Sequence, residues 1–353
     1  MHMGIAERMA SAHKQIAISE FFEKNKHFLG FDTDTRALIT AVKEAVDNAL
    51  DACEEARILP TITINISRHD TKRDIILLEV QDNGPGIPMK SLENVFGKLL
   101  YGSRFHVIRQ SRGQQGIGIT GVVMYSQLTT GKHTHVISKV EEEATAVHLN
   151  IGLDTKKNKA ISSNRKREHW FNAEGELIPH GVRVEARMKA KYQRGKQSVY
   201  QYLRMTSIVN PHASISFRVF DEGGAVIDGG DWPRVTDVLP TPVKEIRPHP
   251  HGLEIGSLQR FLRESDERKM TSFLRRNFSG VSMRAARDIL ARAEIDEARR
   301  PTTVKAEEAQ GLLAAFRQVR IMPPPTDCLS PIEDLLIKKG LSKAIDSRFV
   351  STI

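Results

Sequence analysis

The chain has 353 residues, enough at roughly one domain per 150 for about two or three domains, and its 40% apolar and 27% charged residues exclude a wholly disordered or membrane-embedded class. Its 52 Lys and Arg against 43 Asp and Glu leave a net charge of +9, which favours polyanionic partners such as nucleic acid, although many basic proteins bind none. Two cysteines, Cys53 and Cys328, lie far apart in no ligand spacing, so a disulfide framework and a structural zinc site are excluded and any metal is left to oxygen ligands.

No run of ~18 apolar residues occurs, and Met1 to Ala12 lacks the apolar stretch of a secretory signal, so no membrane partner and a cytoplasmic location are expected. From Asp34 an irregular polar start gives way to a helical period that runs to about Ala56, with Asp34 or Thr35 as its N-cap. Thr61 to Ser67 and Ile75 to Val80 read as strands joined by the charged residues Arg68 to Asp74. Gln81 to Pro88 reads as a turn and Ser91 to Leu100 as a short helix. A Gly- and Arg-rich stretch to Gln115 then leads to a helix from Ile117 to Gln127.

Strands are predicted near Gln127 to Ser138 and Ala144 to Ile151, and the basic run Asp154 to Glu168 reads as an exposed hairpin connection. Val182 to Lys189 is a strand, Gln197 to Val209 a helix and Ala213 to Phe220 another strand. Gly and Pro become dense between Gly223 and Pro250, which marks a domain boundary. Gly256 to Phe316 shows only short helices. The expected fold class is therefore α+β over about 1–243, followed by a small all-α domain over about 244–320 and a remainder, 321–353.

Three segments carry chemistry. On a helix, Glu44, Asn48 and Asp51 stand at i, i+4 and i+7, so their polar tips share a face. A carboxylate and a carboxamide turned into a cleft can serve as a base for water and a hard ligand for Mg²⁺; taken alone, the same pattern is also a solvated acidic face. Ala41, Ala45, Ala49 and Ala52 form a stripe of small side chains for close packing. The second segment, Asp82-Asn83-Gly84-Pro85-Gly86-Ile87-Pro88, follows a strand. Its carboxylate can accept from an adenine amino group and would reject guanine, which presents a carbonyl there; an ordinary surface turn has the same composition. In the third, Ser111 to Gly121, glycines ordered G-x-x-G-x-G feed a helix, and backbone N–H groups there can approach phosphate oxygens at the positive end of the helix dipole. Neither G-x-G-x-x-G nor G-x-x-x-x-G-K-[ST] occurs, and a lone glycine loop is also what a flexible linker looks like.

Acidic helix, strand, D-x-G-x-G turn and glycine lid into a helix, in that order, resemble the GHKL (Bergerat) nucleotide-binding fold of type II topoisomerase ATPases, the ninety-kilodalton heat-shock chaperone, MutL and histidine kinases. Longer stretches are similar to one branch, the B subunits of type IIB DNA topoisomerases: Phe96 to Phe105, Gln110 to Gly118, Tyr125 to Gly131, Ile208 to Ala213, Pro248 to Gly252 and Pro323 to Pro331. The resemblance implies ATP and Mg²⁺ as ligands, Glu44 as general base, Asn48 as metal ligand and Asp82 as adenine reader. Gly84, Gly86, Gly113, Gly116 and Gly118 would shape the pocket. Ser103, Arg104, Arg112, Gln114, Gln115, Ile117 and Ile119 belong to the stretches expected at the nucleotide.

It further implies a helix-two-turns-helix domain rich in arginine (Arg260, Arg263, Arg268, Lys269, Arg275, Arg276, Arg284, Arg287, Arg292) around Phe261, Phe273, Leu274 and Phe278 as core, and a DNA-meeting loop at Arg194 to Tyr200 in which Gln197 replaces a basic residue. Implied partners are double-stranded DNA, a topoisomerase A subunit in a heterotetramer with two B subunits, and a second copy through ATP-driven dimerisation, with residues before about Asp34 crossing over. The implied activity is the ATP-driven gate for duplex passage in relaxation or decatenation. Glu44 to Ala49 departs from the more usual E-L-V-E-N-S but retains the residues given roles. The family's transducer domain is only beginning where Ile353 stands, so its γ-phosphate lysine and its long helix fall outside this sequence. A fragment, an engineered truncation or a reduced variant all fit, and ATP binding with slow hydrolysis is expected. The alternatives are a non-catalytic nucleotide-switched DNA clamp or another ATPase of the fold; a histidine kinase is disfavoured because His13 and His27 sit in no acceptor motif.

Overall fold

The computed structural model describes residues 18–70, 74–102, 108–113 and 116–344. They fall into two compact units: one of residues 1–105, 111–240 and 332–353, the other of residues 106–110 and 241–331. The border between Pro240 and Thr241 compares with an expected border after 243.

In the first unit, two short helices, α1 (Ile18–Lys24) and α2 (Lys26–Leu29), precede the long helix α3 (Asp34–Glu55). The N-cap of α3 is Thr33, one residue before the expected candidates, because its extended backbone lets its hydroxyl accept from the Arg36 N–H. Every third or fourth residue of α3, from Ala37 through Leu38, Ala41, Val42, Ala45, Val46, Ala49 and Leu50, is buried. That stripe packs on an eight-stranded sheet of order β5-β4-β3-β6-β2-β1-β7-β8. The strands are β1 (Thr61–Asp70), β2 (Ile75–Asp82), β3 (Thr134–Lys139), β4 (Ala146–Asp154), β5 (Lys159–Glu168), β6 (Gly181–Lys189), β7 (Ser214–Phe220) and β8 (Val226–Trp232). Only the β1–β7 pairing is parallel. Alternation is clear on β1 and β2, where Ile62, Ile64, Ile66, Ile76, Leu78 and Val80 are buried under α3. Helices α4 (Met89–Gly97) and α5 (Gly118–Thr130) add the remaining cover, with Val123 of α5 joining Leu92 and Phe96 of α4 over Val136, Val147, Leu149 and Ile151. The α+β expectation holds.

Four readings are corrected. The basic run after Asp154 contains β5, an edge strand exposed almost throughout; with no apolar alternation to betray it, it is held by backbone pairing to β4, and its lysines blunt the free edge. Strand β8 was hidden by Gly229 and Gly230, which look like breakers. Both accept close neighbours instead, since a Cβ on Gly229 would lie 2.6 Å from the Phe217 carbonyl oxygen and one on Gly230 2.8 Å from the Trp232 ring. Strand β3 starts at Thr134, not near Gln127, because Thr129 and Thr130 return their hydroxyls to the carbonyls of Tyr125 and Ser126, both at 2.7 Å, and continue α5 until Gly131 ends it at φ +68°. Gln81 and Asp82 are the last residues of β2 and not part of the turn. Helix α6 (Val199–Val209) is capped by Ser198, whose hydroxyl accepts from the Gln201 N–H.

The second unit holds α7 (Ile255–Arg263), α8 (Met270–Asn277), α9 (Met283–Arg292) and α10 (Ala306–Gln318), with no named strand among its described residues. Phe278 is its hub, in edge-on contact with Phe261, Phe273 and Phe316 at centroid distances of 5.8, 5.6 and 5.7 Å. The nine basic residues named above are all exposed, around the expected core. The last described helix, α11 (Asp334–Ala344), belongs to the first unit and packs against α6, where Gly340 lies over Ile208.

Candidate functional site

A cavity of about 980 Å³ opens between α3, the sheet and the start of α5. Glu44 and Asn48 enter it from α3, Asp82 from the end of β2, Gly86 from the following turn, and Arg112, Gly113, Gly116, Ile117, Gly118 and Ile119 from the glycine-rich segment. Ser103, Arg104, Gln114 and Gln115 lie outside the described residues. Ala45, Ala49 and Ala52 also line the cavity, so the small-residue stripe leaves room for a ligand as well as for packing. Val80, Ile87, Val95, Phe96, Val182 and Val184 provide an apolar wall suited to the faces of a flat heterocycle. Of these, Val80, Val95, Val182 and Val184 were not singled out from the sequence; for the three on β2 and β6 the signal was the apolar pattern of the strands, which also fits plain core.

Burial pushes the Asp82 carboxyl up to about 6, against the lowering effect of N–H donors from Gly84 at 2.8 Å and Val182 at 3.3 Å. Both bonds fall on Oδ1 of this cavity-lining carboxylate. Gly84 stands behind this carboxylate, where a Cβ would come within 2.9 Å of Asp82 Oδ1 and 3.7 Å of Ala52 Cβ. Gly86 has φ +75°, and a Cβ there would land on the Lys139 carbonyl, so only glycine fits. The turn is tied down by three residues not foreseen as important. Asn83 accepts from the Thr61 N–H at 2.7 Å and donates to the Leu59 carbonyl at 3.1 Å. Ser138 exchanges hydrogen bonds with the backbone of Ile87 at 2.7 and 2.9 Å, and His180 Nδ1 lies 2.8 Å from the Gly84 carbonyl oxygen.

At the other end of the cavity, the Glu44 carboxylate lies against Gly118, the first residue of α5, where an added Cβ would force the Glu44 side chain to move. Burial raises the Glu44 pKa, with nearby Lys43 pulling the other way, which moves the group toward the range useful to a general base. Helix α5 begins with Ile117 at the N-cap position and, among the described residues, without a side-chain cap, so the N–H groups of its first turn offer positive partial charge beside the cavity. The described cations lining the cavity are Lys43, whose ammonium is 3.1 Å from Asp47 Oδ2, and Arg112, engaged with Asp51 and Glu54. Asp51, expected on the Glu44–Asn48 face, is thus turned to Arg112. The described residues contain no cluster of three or more His, Cys, Asp or Glu able to hold a metal ion. Asn48, exposed at the cavity, is an oxygen ligand that fits Mg²⁺ only when phosphate oxygens and water complete the sphere.

In the basic loop before α6, Arg194 is bound by Asp228 through Nε at 2.7 Å and Nη2 at 2.5 Å and stacks 3.5 Å from the Tyr200 ring centroid, which leaves exposed Lys196 as the loop's unstacked cation.

The sequence profile of the histidine kinase-, DNA gyrase B- and HSP90-like ATPases matches residues 33–155, which span α3, the Asp82 turn and the glycine-rich segment. The chain is 47% identical over 349 residues to the B subunit of type 2 DNA topoisomerase 6 from Methanococcoides burtonii, covering 99% of this chain and 54% of that protein. It is 46% identical to the protein of the same name from Archaeoglobus fulgidus, covering 98% and 55%. Over nearly its whole length the chain is homologous to topoisomerase 6 B subunits. The chain spans about half the length of the curated relatives it matches. Among solved structures, the ATPase region of Saccharomyces cerevisiae topoisomerase II is 13% identical with a TM-score of 0.39, covering 62% of each chain, too low to carry weight. Among the described residues, no helix is long and apolar enough to cross a membrane.

Proposed function

We propose that this chain, homologous to topoisomerase 6 B subunits, binds ATP in the cavity and hydrolyses it with Glu44 as general base. The carrying observation is that the α3 carboxylate and carboxamide, the buried Asp82 and the uncapped start of α5 line one cavity. Asp82 Oδ2 would accept from the adenine amino group, the valine and isoleucine wall would hold the ring, and the N–H groups at the start of α5 would bind phosphate. Glu44 would take a proton from the attacking water as its oxygen bonds to the γ-phosphorus, with ADP leaving. Asn48 would hold Mg²⁺, which when bound neutralises charge on the phosphates. Both described lining cations are already held by carboxylates, which supports slow turnover by residues 1–353 alone and favours a second reading, a nucleotide-switched clamp that works without hydrolysis.

In the whole protein, ATP would close two copies into a gate for duplex passage, with an A subunit cutting the DNA and the arginines of the second unit holding phosphates. Sedimentation of the chain with and without a non-hydrolysable ATP analogue and Mg²⁺ tests the gate: a nucleotide-dependent dimer is expected, and a monomer in both states removes it. Titration calorimetry with the same analogue tests the site, and absence of binding sinks the nucleotide assignment. Glu44→Ala separates the two readings, because DNA-dependent function that survives it belongs to the switch.

A further inference from the structure

We propose that Arg112 is a positioning residue rather than a phosphate ligand: together with Asp51, Glu54 and Asn210 it sets where the backbone at Gly113 stands beside the nucleotide. The inference rests on the reading of the cavity as an ATP site. All four N–H groups of the two Nη atoms have partners: Nη1 donates to Asp51 Oδ1 at 2.8 Å and Glu54 Oε2 at 3.0 Å, and Nη2 to Glu54 Oε1 at 2.8 Å and Asn210 Oδ1 at 2.5 Å. Two carboxylates around one guanidinium leave the cluster net negative, which repels a phosphate. The hydrogen bonds from His212 and Arg112 outweigh burial and hold the Glu54 pKa down, so that charge persists at neutral pH.

The same cluster grips the backbone. The N–H groups of Arg112 and Gly113 both point at Asp51 Oδ2, at 3.2 and 3.3 Å. Asp51 is only 5% exposed, and His212, 6% exposed, closes the far side with Nε2 at 2.9 Å from Glu54 Oε1. Asn210 is the C-cap of α6, and its Nδ2 donates to the Thr206 carbonyl at 2.8 Å, so the acceptor it offers Arg112 is fixed by a helix end. Asp51 lies about 10 Å along α3 from Glu44 at 1.5 Å per residue. One rigid helix therefore carries both the reactive carboxylate and the clamp for the backbone at Gly113.

The test compares affinity for a non-hydrolysable ATP analogue with affinity for adenosine, in the full chain, for Arg112→Ala, Glu54→Gln and the double variant. Both single changes are expected to weaken the analogue at least tenfold while adenosine stays within about twofold, with the double variant no worse than Arg112→Ala. Wild-type analogue affinity in Glu54→Gln with a loss in Arg112→Ala would make Arg112 a direct ligand and overturn the proposal. Equal loss of adenosine would reduce the cluster to general scaffolding and overturn it too. Should a variant fail to fold, Asn210→Ala removes one bond of four and is expected to weaken the analogue about threefold with adenosine unchanged; no change refutes the idea. Amide hydrogen exchange without nucleotide separates this inference from the one it rests on. Faster exchange at Arg112 and Gly113 in Glu54→Gln supports the clamp even if no nucleotide binds, and unchanged exchange overturns it even if ATP does.

Discussion

Asp82→Asn should make the protein more stable and worse at binding ATP, and both effects follow from one buried carboxylate. In the fold the Asp82 pKa rises from 3.8 to about 6, so the folded state holds a proton that the unfolded chain has already lost. The stabilisation from that proton is complete below about pH 4, declines as pH rises, and is gone above about pH 6. The shift is roughly two pH units at 1.36 kcal/mol each, so ionising Asp82 costs the nucleotide-free fold on the order of 3 kcal/mol at pH 8. Asparagine resembles the protonated acid: its carbonyl can keep the bonds from the Gly84 and Val182 N–H groups without the charge. At about 2–4 °C per kcal/mol for a domain of this size, the variant should melt roughly 6–12 °C above wild type at pH 8 and level with it at pH 4. With the carbonyl committed to those N–H groups, the amide NH₂ faces the cavity, donor against the adenine donor. ATP affinity should then fall at least about a hundredfold while that for GTP rises. Calorimetric melts across pH 4–8 and nucleotide titrations measure both. A variant no more stable than wild type at pH 8, or one with the same slope between pH 4 and 6, would refute the reasoning.

Glu44→Gln should lower ATP turnover by about 10²–10⁴-fold while binding of a non-hydrolysable analogue stays within a few fold, as single-turnover rates and titration would report. Gly86→Ala places a Cβ on the Lys139 carbonyl at φ +75° and should cost about 1–3 kcal/mol or more in urea unfolding, with loss of nucleotide binding as the Asp82 turn shifts. Phe278→Ala removes the ring at the centre of three edge-on contacts and should destabilise the second unit by about 3–5 kcal/mol, followed by circular dichroism during denaturation. Asn83→Ala frees the Thr61 N–H and Leu59 carbonyl and should cost about 1–3 kcal/mol, read in the same way.

What could be read in the chain was what local rules decide. The period of α3 and the alternation of β1, β2 and β7 are fixed by which side chains must leave water, so their positions were foreseen to within a few residues. The second unit was legible for the same reason, its short amphipathic helices each carrying an apolar stripe. Strands β5 and β8 were not, because an edge strand with no buried face has no hydrophobic signal and is specified by the partner's unpaired backbone.

The site divides along the same line. The roles proposed for Glu44, Asn48 and Asp82 rest on side chains whose spacing is set within one helix or one strand end, so a local pattern could name them. Arg112 stood in the same glycine-rich stretch and was expected at the nucleotide only through the resemblance. Its acceptors lie 61, 58 and 98 residues away in the chain, and only the fold brings them together. Once they are together, counting donors supports the positioning role proposed above: with its four terminal N–H groups taken by two carboxylates and a carboxamide, the guanidinium keeps at most its Nε–H for a phosphate, while the backbone of Arg112 and Gly113 is held at Asp51.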